Sequence, residues 1–372
     1  MVKSKKIFFF NLIELFILLV GIWIVGFCLK NKFYIGLLFL VLVILALILS
    51  KTKLHLVLLI CSLWLVFGLL IIFNPYLQSI TKINILLAKT PFYSLRNMAT
   101  SYISNIYNNN STSSYINMLV FNLRDATNNN FYNNIKNLSI VHLFVVSGLH
   151  INLFGLILHK LFFWKVKNKR LISGFDLIFC LFYGYLLSFS ISVIRIICNV
   201  LIRLIDPKIN LEHVNYISAL LVIFLLPGEI SSYGYFMSYF CSIGVVHIYK
   251  NIKNKLILTV LINFYCILVT LPFVANMNHK INIFAFFYNY MYSTIVIFHY
   301  FWFILFGWWK PFIFINNYLF NSLNSLVLMN LDLSIYINLD FFNKNLQNLY
   351  WSFFLVFIGI FHIFYFKKKN IL

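Results

Sequence analysis

The sequence predicts an all-α, polytopic integral membrane protein with about 10–12 membrane-crossing helices. Three observations carry that prediction. Of its 372 residues, 62% are hydrophobic and only 10% charged, against roughly a quarter charged in soluble domains. Mean hydropathy is +0.91, and apolar runs near the ~20 residues of a membrane span recur along most of the chain. Lysine and arginine cluster in alternate loops, as the positive-inside rule requires.

The first run, "IFFFNLIELFILLVGIWIVGFCL", follows Lys3, Lys5 and Lys6. It is too long for a signal-peptide core and no small-residue cleavage site follows, so it reads as a retained helix. Runs at about 7–29, 33–50 and 54–73 form an N-terminal group, residues 1–73. With the first lysines inside, the third run ends outside. Residues 74–140 then turn rich in Asn, Ser and Tyr, and read as extracytoplasmic amphipathic segments lying along the interface. Within them, "NNNSTSSYINMLVFNLRDATNNN" holds a short apolar stretch behind Ser and Thr helix-start signals.

Residues 141–372 are expected to form the transport core. Runs lie near 140–163, 171–189, 190–205, 214–226, 230–249, 256–275, 281–309, 311–330 and 350–366. This count places both termini in the cytoplasm of a bacterial cell whose membrane the chain crosses many times. The run 311–330 is polar for a span, reading "NNYLFNSLNSLVLMN". Lysines and arginines from Lys160 to Arg170, at Arg203 and Lys208, from Lys250 to Lys255 and from Lys367 to Lys369 fall in the inside loops. Topology thus accounts for most of the net charge of +21, and a nucleic-acid partner does not follow from charge alone. The six cysteines lie in apolar runs without CxxC spacing, which argues against a disulfide frame or a zinc site. No cofactor or metal motif is visible.

Polar groups line up on one helix in particular. In "LSFSISVIRIICNVLIRLID", Ser188, Ser192, Arg195, Asn199 and Arg203 are spaced 4, 3, 4 and 4 apart, which is one narrow stripe at 3.6 residues per turn. An arginine at the bilayer centre costs about 2.5–3.5 kcal/mol. Arg195 is therefore expected to face a partner or a wet cavity. The plain alternative is a nearby carboxylate, Asp176 or Asp206. Arg203, nearer the helix end, can extend to the interface; about 12 Å along the axis separates the two arginines, a spacing suited to passing a polyanion between cations.

A second stripe runs through "ISSYGYFMSYFCSIG": Ser231, Tyr235, Ser238 and Ser242. Small residues at this spacing, with Gly244, point to close helix packing; Tyr235 and Tyr239 offer flat faces on which nucleobases stack. In "HLFVVSGLH", His142, Ser147, Gly148 and His150 interrupt an apolar run. Gly148 beside Ser147 weakens the helix, and a broken or re-entrant helix there would aim backbone N–H groups at an anion. A packing knot, with each histidine bonded to a neighbouring helix, stands beside that reading. Serine catalysis at Ser147 is disfavoured, since Val145 stands where a GxSG serine protease has glycine and the nearest histidine shares the same segment. HExxH is absent. The chain is not expected to be an enzyme.

These residues resemble the ComEC family of competence proteins. "HLFVVSGLH" is similar to its H-L-x-x-x-S-G-L-H signature, and "SISVIRI" to its S-x-x-R-A stretch through Ser192 and Arg195. "PGEISSYGYFMSYF" matches a third block at Pro227, Gly234 and Ser238, and "LVTLPFVANMNHKINIFAFFYNYMYS" a fourth at Thr270, Pro272 and Asn289. The four blocks follow in order across residues 120–300, and "NMLVFNLRD" resembles the short helix before the first. Phe236 stands for a glutamine and Ile196 for an alanine. The proline usual after the fourth block is missing, with Ser293 and Thr294 near its place.

The resemblance implies a channel that carries single-stranded DNA across the cytoplasmic membrane during natural transformation. His142, Ser147, Gly148, His150, Ser192, Arg195, Asn199, Arg203, Gly234, Ser238, Pro272 and Asn289 would line or shape the path. It is expected to be a reduced form. Residues 74–140 are too short for the family's OB-fold, and no HxHxDH metal motif marks its metallo-β-lactamase-like domain. Implied partners are membrane lipids, separate DNA-receptor, nuclease and ATP-driven helicase or translocase proteins, and further copies of the chain. Transport of another anionic or lipid-like cargo, and an intramembrane serine hydrolase, are the alternative readings.

Overall fold

The computed structural model describes residues 12–30, 54–73, 93–144, 169–338 and scattered positions at 44 and 150–157, except 109, 188, 230, 231 and 279. The expected runs at 33–50 and 350–366, and positions 145–149 of the anticipated helix break, lie outside the described residues.

The described chain is helical nearly throughout. In order it forms α1 (Leu12–Lys30), α2 (Leu54–Phe73), α3 (Tyr93–Ile106), α4 (Ser111–Phe121), α5 (Asn129–Asn137), α6 (Val141–Phe144), α7 (Lys169–Leu186), α8 (Ile191–Ile205), α9 (Leu211–Leu225), α10 (Tyr233–Asn251), α11 (Lys255–Asn278), α12 (Ala285–Phe306) and α13 (Ile313–Asp332). From α7 onward the ends fall within four residues of the runs read from hydropathy, the largest displacement being 281 against Ala285. The class is all-α as expected; besides the helices there is a small antiparallel ribbon, β1 (Lys280–Asn282) paired with β2 (Tyr336–Asn338). Its strands are three residues long, too short to show alternation. Asn282 Nδ2 bonds Ser334 Oγ at 2.7 Å and the Lys280 ammonium sits 4.6 Å from the Tyr336 ring centroid.

Among the described residues, Ala285–Phe306 and Lys310–Asp332 are long and apolar enough to cross a membrane. Shorter apolar helices occur at Ile17–Gly26, Leu58–Leu69, Leu211–Leu225 and Lys255–Leu271.

Two cores organise the helices. In the first, α1 packs on α2, α9 and α10: the Trp23 ring meets Phe236 edge-on at 4.3 Å, and Trp64 Nε1 donates to the Leu18 carbonyl at 3.1 Å. Gly21 is what lets Trp64 in, because a β-carbon there would fall inside the indole. The second core gathers α3 to α7 with α12 and α13 around Tyr115. Helix α8 belongs to both, giving Ile191 and Cys198 to the first and Val193 and Ile196 to the second.

The helix α4 was expected as a short apolar stretch in an interfacial segment. It is buried on every side from Thr112 to Phe121. Asn110 caps its start by accepting from Ser113 N at 3.0 Å, and Asn122 ends it in the left-handed region at φ 54°, where asparagine is tolerated. Its carbonyl end is closed by α3 and α7: the Phe121 carbonyl accepts from Arg96 at 3.1 Å, and that of Val120 from the Tyr183 hydroxyl at 3.1 Å.

The packing expected at Gly244 is present. Tyr265 of α11 lies against it so closely that a β-carbon would sit 2.0 Å from the ring, while the Tyr265 hydroxyl bonds the Phe240 carbonyl at 3.0 Å. Gly244→Leu must break that bond and part α10 from α11. Overpacking of this kind costs about 1–3 kcal/mol, so the purified variant is expected to melt several degrees lower. An unchanged midpoint would mean that the contact does not bear on stability.

Candidate polar path through the helix bundle

The stripe read from α8 leads directly to α10. Arg195 is half-buried, and its Nη1 donates to the backbone carbonyl of Ser238. The guanidinium carbon stands 6.0 Å from the Tyr239 ring centroid, at the outer range of a cation–π contact. Among the described residues no ion pair forms on it, whereas Glu212 pairs with Lys250 at 2.7 Å and approaches His247 at 3.9 Å. The carboxylate alternative is thereby corrected: Asp176 acts electrostatically on Arg203, and Asp206 accepts from the backbone N of Lys208. Arg203 is exposed.

One turn along α8, Asn199 Nδ2 donates to Asn215 Oδ1 of α9 at 3.2 Å. Asn199 Oδ1 and Ser238 Oγ are both buried without a hydrogen-bond partner, which in a native fold calls for an explanation such as an absent ligand or water. Ser192 is half-buried on the same side, whereas Ser188 lies outside the described residues. Gly234 is exposed at the start of α10 and has room for a β-carbon, 3.4 Å from Ile191.

The tyrosines behave differently from the stacking faces expected of them. Tyr235 and Tyr239 are fully buried, and their hydroxyls donate to the Ala219 and Ser218 carbonyls of α9 at 3.1 and 3.2 Å. They fasten α10 to α9 and present no open face in this conformation. What they do is hold Ser238, and so the carbonyl that orients Arg195.

A second polar group of predicted residues gathers on α6 and α12. Asn289, buried on α12, faces His142. The contact is looser than a formed hydrogen bond, because His142 Nδ1 and Asn289 Oδ1 are buried without partners. At the end of the motif, the His150 ring packs on Tyr300 at 4.7 Å, and Tyr300 donates to the Tyr183 hydroxyl at 2.7 Å. Ser147 and Gly148 lie outside the described residues. Pro272 lies within α11, where it removes a helical N–H. Among the described residues, the predicted positions therefore do not form one cluster. Arg195, Asn199 and Ser238 meet on one side of α8, and His142 meets Asn289 in the other core.

Other participants carry a weaker signal in the sequence. Asn215 and Ser218 show a 3-residue polar spacing in "LEHVNYISALL" that could have marked α9 as the partner of α8. The Tyr115–His299 pair, with the phenol oxygen 3.0 Å from Nδ1, has no local signal because 184 residues separate the two. Outside the candidate spans, Tyr107 bonds the Gly307 carbonyl at 2.9 Å and accepts from Asn316. Burial pushes its phenol up and the Asn316 bond pulls it part of the way back. No group of three His, Cys, Asp or Glu side chains fit to hold a metal occurs among the described residues.

A family model described as competence protein matches residues 119–369. An uncharacterized protein of Mycoplasma pneumoniae, homologous to MG316, is 30% identical over 213 residues, 57% of this chain and 54% of its own length. The uncharacterized protein MG316 of Mycoplasma genitalium is 28% identical over 182 residues, 49% and 48% of the two chains. The chain thus spans about half the length of the curated relatives it matches. No solved structure matches it.

Proposed function

Because this chain belongs to the competence-protein family, we propose that it is a multi-pass protein of the bacterial cytoplasmic membrane that passes single-stranded DNA to the cytoplasm during transformation. The observation that supports this most is the state of Arg195. It is a half-buried cation with no carboxylate on it, aimed by the Ser238 carbonyl and bordered by the unpartnered Asn199 Oδ1 and Ser238 Oγ. Charged groups at membrane depth pair with one another or with backbone carbonyls and mark substrate or ion pathways, and Arg195 has the carbonyl without the carboxylate. A cation left available in apolar surroundings suits a passing phosphate, which needs a charge to approach and no permanent grip.

On this reading the protein does no covalent chemistry. Arg195 and Arg203 offer successive positive charge along α8, the Asn199–Asn215 amides offer hydrogen bonds to sugar or phosphate oxygens, and His142 with Asn289 shapes a polar point in the second core. Ser192, Gly234 and Pro272 shape the backbone around the path, as Ser147, Gly148 and His150 would at the motif. DNA capture, strand degradation and pulling fall to separate receptor, nuclease and ATP-driven proteins, and several copies of the chain can share the task.

The test is entry of labelled DNA into cells with and without the protein. DNA that becomes resistant to external nuclease only when the protein is present is the expected result. Equal entry in both strains, with protein-dependent uptake of a different anion, would move the assignment to another cargo.

A further inference from the structure

Away from the Arg195 site, an open groove of about 560 Å³ lies where the start of α11 meets the start of α12. That volume is within the range of small-molecule sites, roughly 300–1,000 Å³. One wall is a single face of α11: Lys255, Thr259 and Asn263 follow at four-residue intervals, with Leu256 and Val260 beside them. The other wall is aromatic, made by Phe286, Phe287 and Tyr290. Leu256, Phe287 and Tyr290 are 76%, 59% and 57% exposed, so the walls are open to whatever surrounds the helices.

The chemistry of the groove is lopsided. Lys255 stands at one end as the cation of the lining, and no carboxylate lines the groove. The Thr259 hydroxyl is occupied by the Lys255 carbonyl at 2.9 Å, which leaves the lysine and the half-buried Asn263 amide as the polar attractions. The remainder is hydrocarbon and aromatic surface. A free anion would find one cation and a wall it gains nothing from, and a neutral hydrocarbon would leave the lysine unused. The complement is an amphiphile with a negative head.

We propose that this groove binds an anionic phospholipid, its phosphate on Lys255 and an acyl chain between the Leu256–Val260 face and the Phe286, Phe287 and Tyr290 rings. Basic pockets between membrane helices commonly take such headgroups. The inference rests on the membrane part of the proposed function and is independent of what cargo passes.

The test uses the full chain, extracted in detergent and exposed to phosphatidylglycerol or phosphatidylcholine, with bound lipid read by native mass spectrometry. Phosphatidylglycerol should be retained in preference. Lys255→Gln should weaken its retention about fivefold, the weight of one lysine at an anionic surface, and leave phosphatidylcholine unchanged. Phe287→Ala should weaken the lipid without affecting binding of inorganic phosphate. Lys310→Gln, a distant exposed cation, should have no effect. Equal retention of the two lipids, or equal loss with Lys310→Gln and Lys255→Gln, would overturn the inference. Release of the chain from membranes by alkaline carbonate would instead overturn the membrane reading beneath it, so the two failures are told apart.

Discussion

Arg195→Ala is expected to reduce entry of labelled single-stranded DNA into the cytoplasm by about ten- to a hundredfold at matched membrane levels, while surface-bound DNA is retained. A hydrogen bond to a charged partner contributes about 1.5–3 kcal/mol, and 1.4 kcal/mol is tenfold. The variant should still fold, since the bond lost inside the protein is to the Ser238 backbone carbonyl, a group within helix α10. Arg195→Lys keeps the charge and loses the planar fork, so its uptake should fall between wild type and alanine. A second readout is the salt dependence of oligonucleotide binding by purified protein. Removing one phosphate contact should reduce the slope of log K against log salt by about 0.7. Undiminished entry with Arg195→Ala would remove Arg195 from the path.

The largest effect on stability is expected at Tyr115. Its ring is fully buried and has Phe320 at 5.0 Å, Phe131 at 5.5 Å, Phe303 at 5.6 Å and Phe144 at 6.3 Å, drawing α4, α5, α6, α12 and α13 together. Truncating such a ring to alanine costs about 3–5 kcal/mol. Tyr115→Phe keeps the packing but strands the His299 nitrogen that the hydroxyl meets at 3.0 Å, a loss of about 1–3 kcal/mol. Denaturation of the purified proteins should rank wild type, phenylalanine and alanine in that order. If the phenylalanine variant matched wild type, the Tyr115–His299 contact would contribute nothing.

The positions of helices were legible because apolar length is a local property. The polar stripe on α8 was legible for the same reason, being a spacing within fifteen residues. The identity of what a stripe meets was not. Arg195 found a backbone carbonyl, and every residue carries one, so no side chain could announce it. Tyr235 and Tyr239 looked available because aromatic rings alone do not reveal where their hydroxyls point; α9 carbonyls take them. The polar character of 311–330 was visible, and its cause was tertiary. Asn316 bonds Tyr107, Trp302 and the Phe306 carbonyl, and Asn330 bonds Tyr292. Those asparagines are the fastenings of α13 to its neighbours.

The burial of α4 bears on the order in which the protein can be made. Its neighbourhood is secured by bonds across long stretches of chain: Tyr115 to His299, Tyr107 to Gly307 and Asn316 to Tyr107, separated by 184, 200 and 209 residues. When the ribosome has produced α4, none of those partners exists. The segment must wait, its serines and asparagines easily hydrated, through the synthesis of α7 to α11 until α12 and α13 arrive. Closure of the second core is thus a late event of biogenesis, and a nascent chain stopped before Ile313 would carry a complete first core and an unsealed second one.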